Sequence, residues 1–320
     1  MKFNRKPLVV AISTLAVVGF SMAAQADYPE EDITYIIPFD PGGESDVTAR
    51  FQEPILEEEL GVSVNVTHQP GGGGAVAWSQ FQNDAEPDGY EIIGVNIPHI
   101  IGQPIQRSDA GFETDDWRIV TFFHSTPNAL IVPDDSPYET LDDLVEDAKE
   151  NPESITLGGS GTYSANHLGM LRFEEAADID LTYIPFTGTG PLKGAIEGNH
   201  LSGIFNYTML GTEMEDEARV LAVASEERVK ALPDAPTFKE QGYDIVGGAY
   251  RGVAVPKDTP DEVVETLEDA FAKANEEIAS KQEPLGFVME DITGEEVDEV
   301  IGQLRDAYGP ILEEAAEEEE

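Results

Sequence analysis

The residues best placed to do chemistry are glycines and hydroxyls at turns where a short apolar run meets a helix-type pattern. The first such turn is residues 39–46, Phe-Asp-Pro-Gly-Gly-Glu-Ser-Asp, which follows the apolar run ending at Pro38. The first amides of a helix have no partner inside the helix, and the helix dipole adds partial positive charge there. The turn therefore predicts an anion site built from backbone N–H groups.

Two later turns repeat this design and add side-chain donors. Residues 158–168 join a strand-type run to a helix pattern through glycines, and residues 185–191 do the same. Ligands of open α/β sheets bind beyond the carboxyl ends of the strands, where such turns collect. We therefore expect the turns to close from two sides on one carboxylate-bearing ligand. The candidate groups of the two later turns are Ser160, Gly161, Thr162, Ser164, Thr187, Gly188 and Thr189.

The same segments argue against several enzyme classes. Residues 158–168 do not form G-x-S-x-G, because Thr162 stands where the closing glycine is required, and they do not form a Walker A loop. The five histidines form no metal-binding motif, so we predict no metal site and no cofactor. His167 falls inside a helix pattern, which favours a core histidine. A secreted hydrolase or lyase, with His167 as base and a hydroxyl as nucleophile, is the alternative.

The elements that must position these turns alternate between strand and helix along the chain from Tyr28 onward. This alternation predicts an α/β fold with parallel sheets and helices on both faces. Predicted strands cover residues 34–38, 62–67, 90–95, 155–157, 181–185, 203–205, 220–224 and 246–255. Predicted helices cover residues 45–60, 75–83, 141–150, 164–177, 192–197, 260–281 and 297–314.

The N-terminal segment 1–26 has the pattern of a cleaved secretory signal. Three basic residues precede an apolar stretch at residues 8–20, and Ala24-Gln25-Ala26 provides a cleavage site before Asp27. We therefore expect a periplasmic protein whose mature chain is long enough for two domains. The sequence contains no cysteine, which excludes disulfides, thiolate metal sites and attachment of lipid through cysteine.

The chain is strongly acidic, with 64 Asp and Glu residues against 18 Lys and Arg residues and a formal net charge of −46. This charge excludes nucleic acid as a partner, because nucleic-acid binding needs clustered basic residues. Adaptation to high salt and a cation-binding function both explain the acidity. We favour salt adaptation, because the acidic residues are spread along the whole chain and 40% of the residues are hydrophobic.

Several short motifs together resemble one known family, the solute-binding proteins of tripartite tricarboxylate transporters, also called the Bug or TctC family. The motifs follow one another in family order from Tyr28 to about Ala307. They are Pro38-Phe39-x-Pro41-Gly42-Gly43-x-x-Asp46-x-x-Ala49-Arg50, Pro70-Gly71-Gly72-Gly73-Gly74, Pro87-Asp88-Gly89-Tyr90, Gly161 to Leu168, Pro185-Phe186-x-Gly188-x-Gly190-Pro191, and the stretch from Leu221 to Thr237.

This resemblance implies a periplasmic binding protein of the type II-like, Venus-flytrap kind, without catalytic activity. Its two α/β domains would be residues 27–126 with 248–320, and residues 127–247, joined by a hinge that the chain crosses twice. The ligand would be delivered to the permease subunits of the transporter in the membrane. Carried over by position, the ligand-binding residues are Phe39, Gly42, Gly43, Ser45, Asp46, Ser160, Gly161, Thr162, Ser164, Thr187, Gly188, Thr189 and Asn206.

Departures from the family pattern bear on the ligand. Many relatives carry lysine where this chain has Thr187, and Glu44 adds a negative charge to the first turn. We therefore expect amides alone to hold the ligand, without a cationic side chain, and a mono- or dicarboxylate or an amino acid instead of a tricarboxylate. We expect a monomer. A ligand sensor for a membrane receptor and a scavenger without a partner are further alternatives.

Overall fold

The computed structural model of the chain describes residues 28–106 and 110–318, with side chains as far as Leu312. The predicted secretory signal, residues 1–26, and Asp27 lie outside the described residues. Within the two described ranges, no helix combines the length and the apolar character needed to cross a membrane.

Strands and helices alternate along most of the chain. The elements before residue 110 are β1 (Ile33–Ile37), α1 (Glu44–Leu60), β2 (Val64–His68), α2 (Ala75–Asp84), β3 (Glu91–Ile97) and α3 (His99–Gln106). The next elements are β4 (Trp117–Pro133), α4 (Leu141–Glu150), β5 (Thr156–Gly159), α5 (Ala165–Ala177), β6 (Thr182–Pro185), α6 (Thr189–Glu197), β7 (Gly203–Tyr207), α7 (Thr208–Glu213) and β8 (Ala218–Val223). The last are β9 (Gly248–Pro256), α8 (Asp261–Gln282), β10 (Val288–Ile292) and α9 (Glu295–Glu318).

The strands form a ten-stranded sheet in the order β2-β1-β3-β9-β4-β7-β5-β6, and β8 and β10 also pair with β4. The long strand β4 divides this sheet. Residues 117–127 of β4 pair with β9, and residues 128–133 pair with β7 and β8. We name β1–β3, β9, β10, α1–α3 and α8 the first half of the molecule, and β5–β8 with α4–α7 the second half.

The prediction of parallel sheets is wrong in part, because the sheet is mixed. Parallel pairing joins β2, β1 and β3 in the first half and β6, β5 and β7 in the second. The strands β4 and β9 pair antiparallel with each other and with their other neighbours. Strand β4 leaves the first half and β9 returns to it, so the two strands run side by side in opposite directions.

Local sequence signals fix the helix ends. Thr140 accepts a hydrogen bond from the Asp143 amide, and the Asp143 side chain accepts from the Thr140 amide, so the two residues form a capping box at the start of α4. Ser164 caps α5 by accepting from the amide of His167. Helix α1 ends at Gly61, which adopts a left-handed conformation that glycine tolerates without steric cost.

Each half has apolar clusters of its own on both faces of its part of the sheet. In the first half, one cluster surrounds Trp78 and another surrounds Phe271. In the second half, Phe173 and Ile204 lie in two corresponding clusters. Four helix-covered clusters of buried side chains are the expected cores of helices packed on both faces of a sheet, and the α/β fold class is confirmed.

The chain crosses between the halves at two adjacent places. The Asn128 amide donates to the carbonyl oxygen of Gly247 over 2.9 Å. A β-carbon on Gly248 would lie 2.1 Å from the Thr126 carbonyl oxygen, so the backbones approach more closely than any larger residue would permit. The predicted domain boundaries at residues 126/127 and 247/248 fall at this crossing, and the division into two domains there stays a prediction.

The C-terminal helix α9 contacts both halves. It packs against α3 of the first half and α5 of the second. Its buried residues Tyr308 and Leu312 form a small apolar cluster with Tyr163 and Leu168. Helix α9 therefore bridges the two halves.

Candidate ligand-binding site

The turn between β1 and α1 is shaped by Asp46. The Gly42 amide donates to Asp46 Oδ2 over 2.9 Å, and His68 Nε2 lies 2.7 Å from Asp46 Oδ1. Gly42 has φ +89°, a backbone conformation that favours glycine. Both oxygens of the Asp46 carboxylate thus bind protein groups, and Asp46 holds the turn that places the start of α1 at the sheet edge.

The ring of Phe39 anchors the same turn in the apolar core of the first half. It packs edge-on against Trp78 and His99, with centroids 6.0 Å and 5.7 Å away. Such edge-to-face contacts fix the ring orientation in addition to burying apolar surface. Phe39 therefore makes the turn rigid where the chain leaves the sheet.

The turn after β5 is organised by the groups predicted as ligand donors. The amide and hydroxyl of Ser160 both donate to Asn166 Oδ1, and the Tyr163 amide donates to His167 Nδ1 over 3.2 Å. Tyr183 donates its hydroxyl to the Gly161 carbonyl oxygen over 2.9 Å. The hydroxyl of Ser160 thus helps to order the turn, as the capping hydroxyl of Ser164 does.

The two halves meet directly across the cleft between these turns. Thr189 donates its hydroxyl to Glu44 Oε2 over 2.9 Å, and the Thr187 hydroxyl donates to Asp40 Oδ2. A β-carbon on Gly161 would lie 2.5 Å from the Cα atom of Gly73 in the other half. The backbones touch without room for side chains, so the structure represents a closed arrangement of the two halves.

A small cavity lies inside the closed cleft. It leaves about 10 Å³, room for roughly one water molecule. The residues around it come from both halves: Phe39, Asp40, Gly43, Glu44, Ser45, Asp46, Asn96, Ser160, Thr189, Tyr207 and Arg251. The structure thus brings six of the predicted site residues to one cavity, which are Phe39, Gly43, Ser45, Asp46, Ser160 and Thr189.

The other predicted residues lie around the cavity instead of on its wall. Thr187 and Gly188 contact the Asp40 segment at the rim of the cleft, and Gly161 contacts Gly73. Buried behind the wall is Asn206, whose side-chain amide donates to Asn166 Oδ1 over 3.5 Å. The remaining predicted residues are Gly42, Thr162 and Ser164, and they lie outside the cavity lining.

Arg251 is the residue that the sequence reasoning missed. It lies on β9 and is only 2% exposed. Its Nη1 donates to the Thr126 hydroxyl, its Nη2 lies 3.6 Å from Glu44 Oε2, and its guanidinium carbon lies 4.5 Å from the centre of the Tyr207 ring. The expectation of a site without a cationic side chain is therefore wrong. The available signal was an arginine inside the apolar strand pattern of residues 248–256.

Several buried polar atoms around the cavity lack hydrogen-bond partners among the described residues. They are Glu44 Oε1, Asn166 Nδ2, Asn206 Oδ1 and Arg251 Nε. Burial raises the pKa of the Tyr207 phenol, so the hydroxyl stays protonated. Buried polar groups normally have partners, and leaving them unpaired destabilises the protein. A cluster of such atoms around one cavity indicates a binding site for a polar, charged ligand.

The buried histidines near the cavity support the fold. Burial lowers the pKa of His99 to about 3, and the charge of Arg251 adds to the shift. Burial also lowers the pKa of His124 well below its usual value, and its Nε2 lies 2.9 Å from the Thr48 hydroxyl. His167 stacks on Tyr183 with centroids 4.3 Å apart. Because its Nδ1 receives the Tyr163 amide, His167 orders the turn after β5, and its geometry gives the hydrolase alternative no support.

Within the described ranges, no group of three or more histidines and acidic residues is arranged to hold a metal ion. The acidic residues at the cavity are instead engaged one by one with hydroxyls, amides and Arg251. The chemistry of the cavity is thus that of hydrogen bonding and charge pairing.

Comparison with known proteins gives consistent matches over most of the chain. A family model described as tripartite tricarboxylate transporter family receptor (TctC) matches residues 48–308. A relative from Cupriavidus necator, the UPF0065 protein in the gbd 5' region, is 29% identical over 272 residues, covering 84% of this chain and 83% of the relative.

Solved structures match equally well. A periplasmic transporter is 29% identical, with a TM-score of 0.85, over 89% of this chain and 97% of that one. The periplasmic binding protein BugD is 27% identical, with a TM-score of 0.84, over 90% of this chain and 98% of that one. The fold is therefore that of periplasmic binding proteins.

Proposed function

Because the chain belongs to the tripartite tricarboxylate transporter receptor family (TctC), we propose that it captures a small carboxylate between its two halves and delivers it to the transporter subunits in the membrane. The observation that carries this proposal is the cavity where the start of α1, Thr189 and Arg251 converge. Backbone amides at a helix start and a guanidinium are both groups that bind carboxylates strongly.

The closed cleft implies that binding involves movement. Thr189 contacts Glu44 and Gly161 contacts Gly73 across the cleft, so the halves separate to admit a ligand. The two adjacent crossings at Asn128 and Gly248 are the natural place for this hinge motion, because a few residues at element boundaries absorb such a change. Helix α9 contacts both halves and would move with the hinge or slide on one of them.

The charges at the cavity support a ligand with few negative groups. Asp40, Glu44 and Asp46 line it together with one cation, Arg251. Each additional carboxylate of a ligand would repel these side chains, because solvent screens charges only weakly in a buried site. We therefore infer that a mono- or dicarboxylate or an amino acid binds better than a tricarboxylate. We also propose that the chain acts without catalysis and works as a monomer.

The proposed location is the periplasm. Two solved relatives at 27% and 29% identity are described as periplasmic, and the family model covers the same fold. The predicted secretory signal at residues 1–26 agrees with this location. Fractionation of cells that express the full chain checks it, since the proposal requires the processed protein in the periplasmic fraction.

Ligand binding itself is tested by thermal unfolding of the protein purified from the periplasm. A panel of mono-, di- and tricarboxylates and amino acids is added at constant ionic strength, and each melting temperature is compared with that in the matching chloride salt. A ligand at a hundredfold excess over its Kd stabilises the folded state by about 2.7 kcal/mol, which gives a clear shift. Calorimetric titration then confirms saturation with one site. If no carboxylate or amino acid shifts the transition, the proposed function is wrong.

A further inference from the structure

Arg251 and Glu44 form a buried pair of opposite charges in the wall of the cavity. Their side chains are 2% and 3% exposed, and Arg251 Nη2 lies 3.6 Å from Glu44 Oε2. The pair is incomplete within the described part of the chain, because Arg251 Nε and Glu44 Oε1 have no hydrogen-bond partner there. Both side chains line the cavity, so a ligand bound there can supply the partners that these two atoms lack.

The surroundings hold this pair in place. Thr189 reaches across from the second half and donates to Glu44 Oε2, the oxygen that also faces Arg251. The Tyr207 ring lies against the guanidinium, with the guanidinium carbon 4.5 Å from its centre, and fixes its plane. Both contacts bring a residue of the second half to the pair. Closure of the cleft thus positions Glu44 and leaves its other oxygen, Oε1, for a ligand.

A plain carboxylate satisfies only one side of the pair. It can accept a hydrogen bond from Arg251, but it then faces the carboxylate of Glu44 without a proton to share, and the like charges repel. A ligand with a hydroxyl or ammonium group on the carbon next to its carboxylate supplies the missing donor. In such a ligand the anionic oxygen and the donor are neighbours, as Arg251 and Glu44 are in the wall.

We propose that the Arg251–Glu44 pair selects carboxylates that carry a hydrogen-bond donor, a hydroxyl or an ammonium group, on the adjacent carbon. Arg251 binds the carboxylate of the ligand, and Glu44 accepts from the adjacent donor. This inference rests on the proposed function and narrows its ligand class. Thr189 and Tyr207 belong to the second half and contact the pair, so the recognition requires the two halves to come together around the ligand.

The test compares three acids with the same carbon frame. Succinate and L-malate differ only in carrying hydrogen or hydroxyl at the second carbon, so the ratio of their affinities reports the donor alone. L-aspartate carries an ammonium group there, which adds both a donor and one positive charge. We expect the protein to bind malate or aspartate at least about tenfold more tightly than succinate, the effect of one good hydrogen bond to a charged group. Which of the two binds more tightly identifies the donor as hydroxyl or ammonium.

Two variants of Glu44 connect this preference to the pair. Glu44→Gln removes the charge and keeps the shape, so the ratio of aspartate to succinate affinity falls and succinate binds more tightly. Glu44→Ala also removes the acceptor, so the ratio of malate to succinate affinity falls toward one. Glu146→Gln is the matched control: it removes one negative charge at an exposed position of α4, outside the cavity lining, and should leave both ratios unchanged.

Equal binding of the three acids, or ratios that Glu44→Gln and Glu44→Ala do not change, would overturn the proposal. Failure of all three acids to bind would overturn it as well. The proposed function survives either result if another carboxylate of the wider panel binds, so the two failures are distinguishable. Because each ratio compares ligands on one protein, a loss of stability in a variant cancels from it.

Discussion

Gly190 and Pro41 lie in opposite halves of the molecule and nearly touch: a β-carbon on Gly190 would lie 2.5 Å from the Pro41 carbonyl oxygen. Gly190 is the second residue of α6 and precedes Pro191, whose ring also restricts a β-carbon at this position. The conflict with Pro41, in contrast, arises from the other half. It is present when the cleft is closed and disappears when the halves separate.

Substitution Gly190→Ala should therefore favour the open cleft. Forcing a methyl group into a tight contact costs roughly 1–3 kcal/mol, which corresponds to a loss of affinity of about tenfold to a hundredfold. The free energy of unfolding without ligand should change little, because the helix preference of alanine is offset by its restriction before Pro191. Calorimetric titration gives the affinity, and small-angle scattering should show a larger radius of gyration.

Gly194→Ala is the control for this variant. Gly194 lies one turn later in α6, and no described atom lies within 4 Å of a β-carbon there. It should bind ligand like the parent protein. If Gly190→Ala and Gly194→Ala bind equally well, contact between α6 and Pro41 plays no part in closure.

Arg251→Gln should weaken the binding of every carboxylate that the protein takes up. Loss of a hydrogen bond to a charged group costs about 1.5–3 kcal/mol, or roughly tenfold to a hundredfold in Kd. The variant should also unfold more easily, because Glu44 stays buried without its partner. The double substitution Glu44→Gln with Arg251→Gln should regain part of that stability, which a double-mutant cycle in urea measures.

The exposed Arg228 provides the comparison. It pairs with Glu240 on the surface, so Arg228→Gln should change neither affinity nor the free energy of unfolding by more than a few tenths of a kcal/mol. Equal affinities of the Arg251 and Arg228 variants would show that Arg251 does not contact the ligand.

Acid should destabilise the protein through its buried histidines. An unfolded histidine takes up a proton below about pH 6.5, whereas folded His99 stays neutral down to about pH 3. The unfolded state therefore binds more protons in this window, and stability falls as the pH falls, by up to about 1.4 kcal/mol per pH unit for each such histidine. Burial lowers the pKa of His124 as well, so it adds to the slope.

Urea unfolding at a series of pH values across that window measures this slope. His99→Leu should make it shallower, since leucine fills the apolar pocket beside Phe39 and Trp78 without a titrating group. His200→Leu, at an exposed position, is the matched substitution and should change the slope less. An unchanged slope in His99→Leu would exclude His99 as a source of acid sensitivity.

Salt should stabilise the folded chain. The 64 acidic residues repel one another in dilute buffer, and added ions screen this repulsion over about 10 Å or less. The melting temperature should therefore rise from low salt to molar salt, with sodium and potassium chloride acting alike. Equal melting temperatures in dilute buffer and in molar salt would count against adaptation to high salt.

Local sequence signals predict most of the helices and strands, whereas features that depend on contacts between distant parts of the chain are missed. Helix α4 was predicted with both ends correct, because the Thr140 and Asp143 capping box and the Asn151-Pro152 pair mark them in the sequence. Helix α3 was missed because Gly102 and Pro104 interrupt its pattern. Strand β4 is absent from the predicted strands, since its length of 17 residues reflects pairing with strands from both halves, which no short window shows.

The same distinction applies to the site. The turns at residues 39–46 and 158–168 can be predicted from the glycines at the ends of the preceding strands. The structure brings both turns to the cavity. Tyr207 and Asn96 stand within strand patterns, where nothing local distinguishes them from core residues, whereas Arg251 is marked only by its charge. They become neighbours only because β3, β4, β7 and β9 meet at the centre of the sheet.

Closure of the cleft and selection of the solute share Glu44 and Thr189 but otherwise rest on different atoms. Gly73 meets Gly161, and Pro41 meets Gly190, through main chain, whereas the cavity wall contains side chains such as Arg251. Exchanging wall side chains other than Glu44 and Thr189 would thus alter the preferred solute and leave these main-chain contacts in place. A fluorescent group attached near the rim would then report closure of the cleft in each variant, so one optical signal would serve sensors for different solutes.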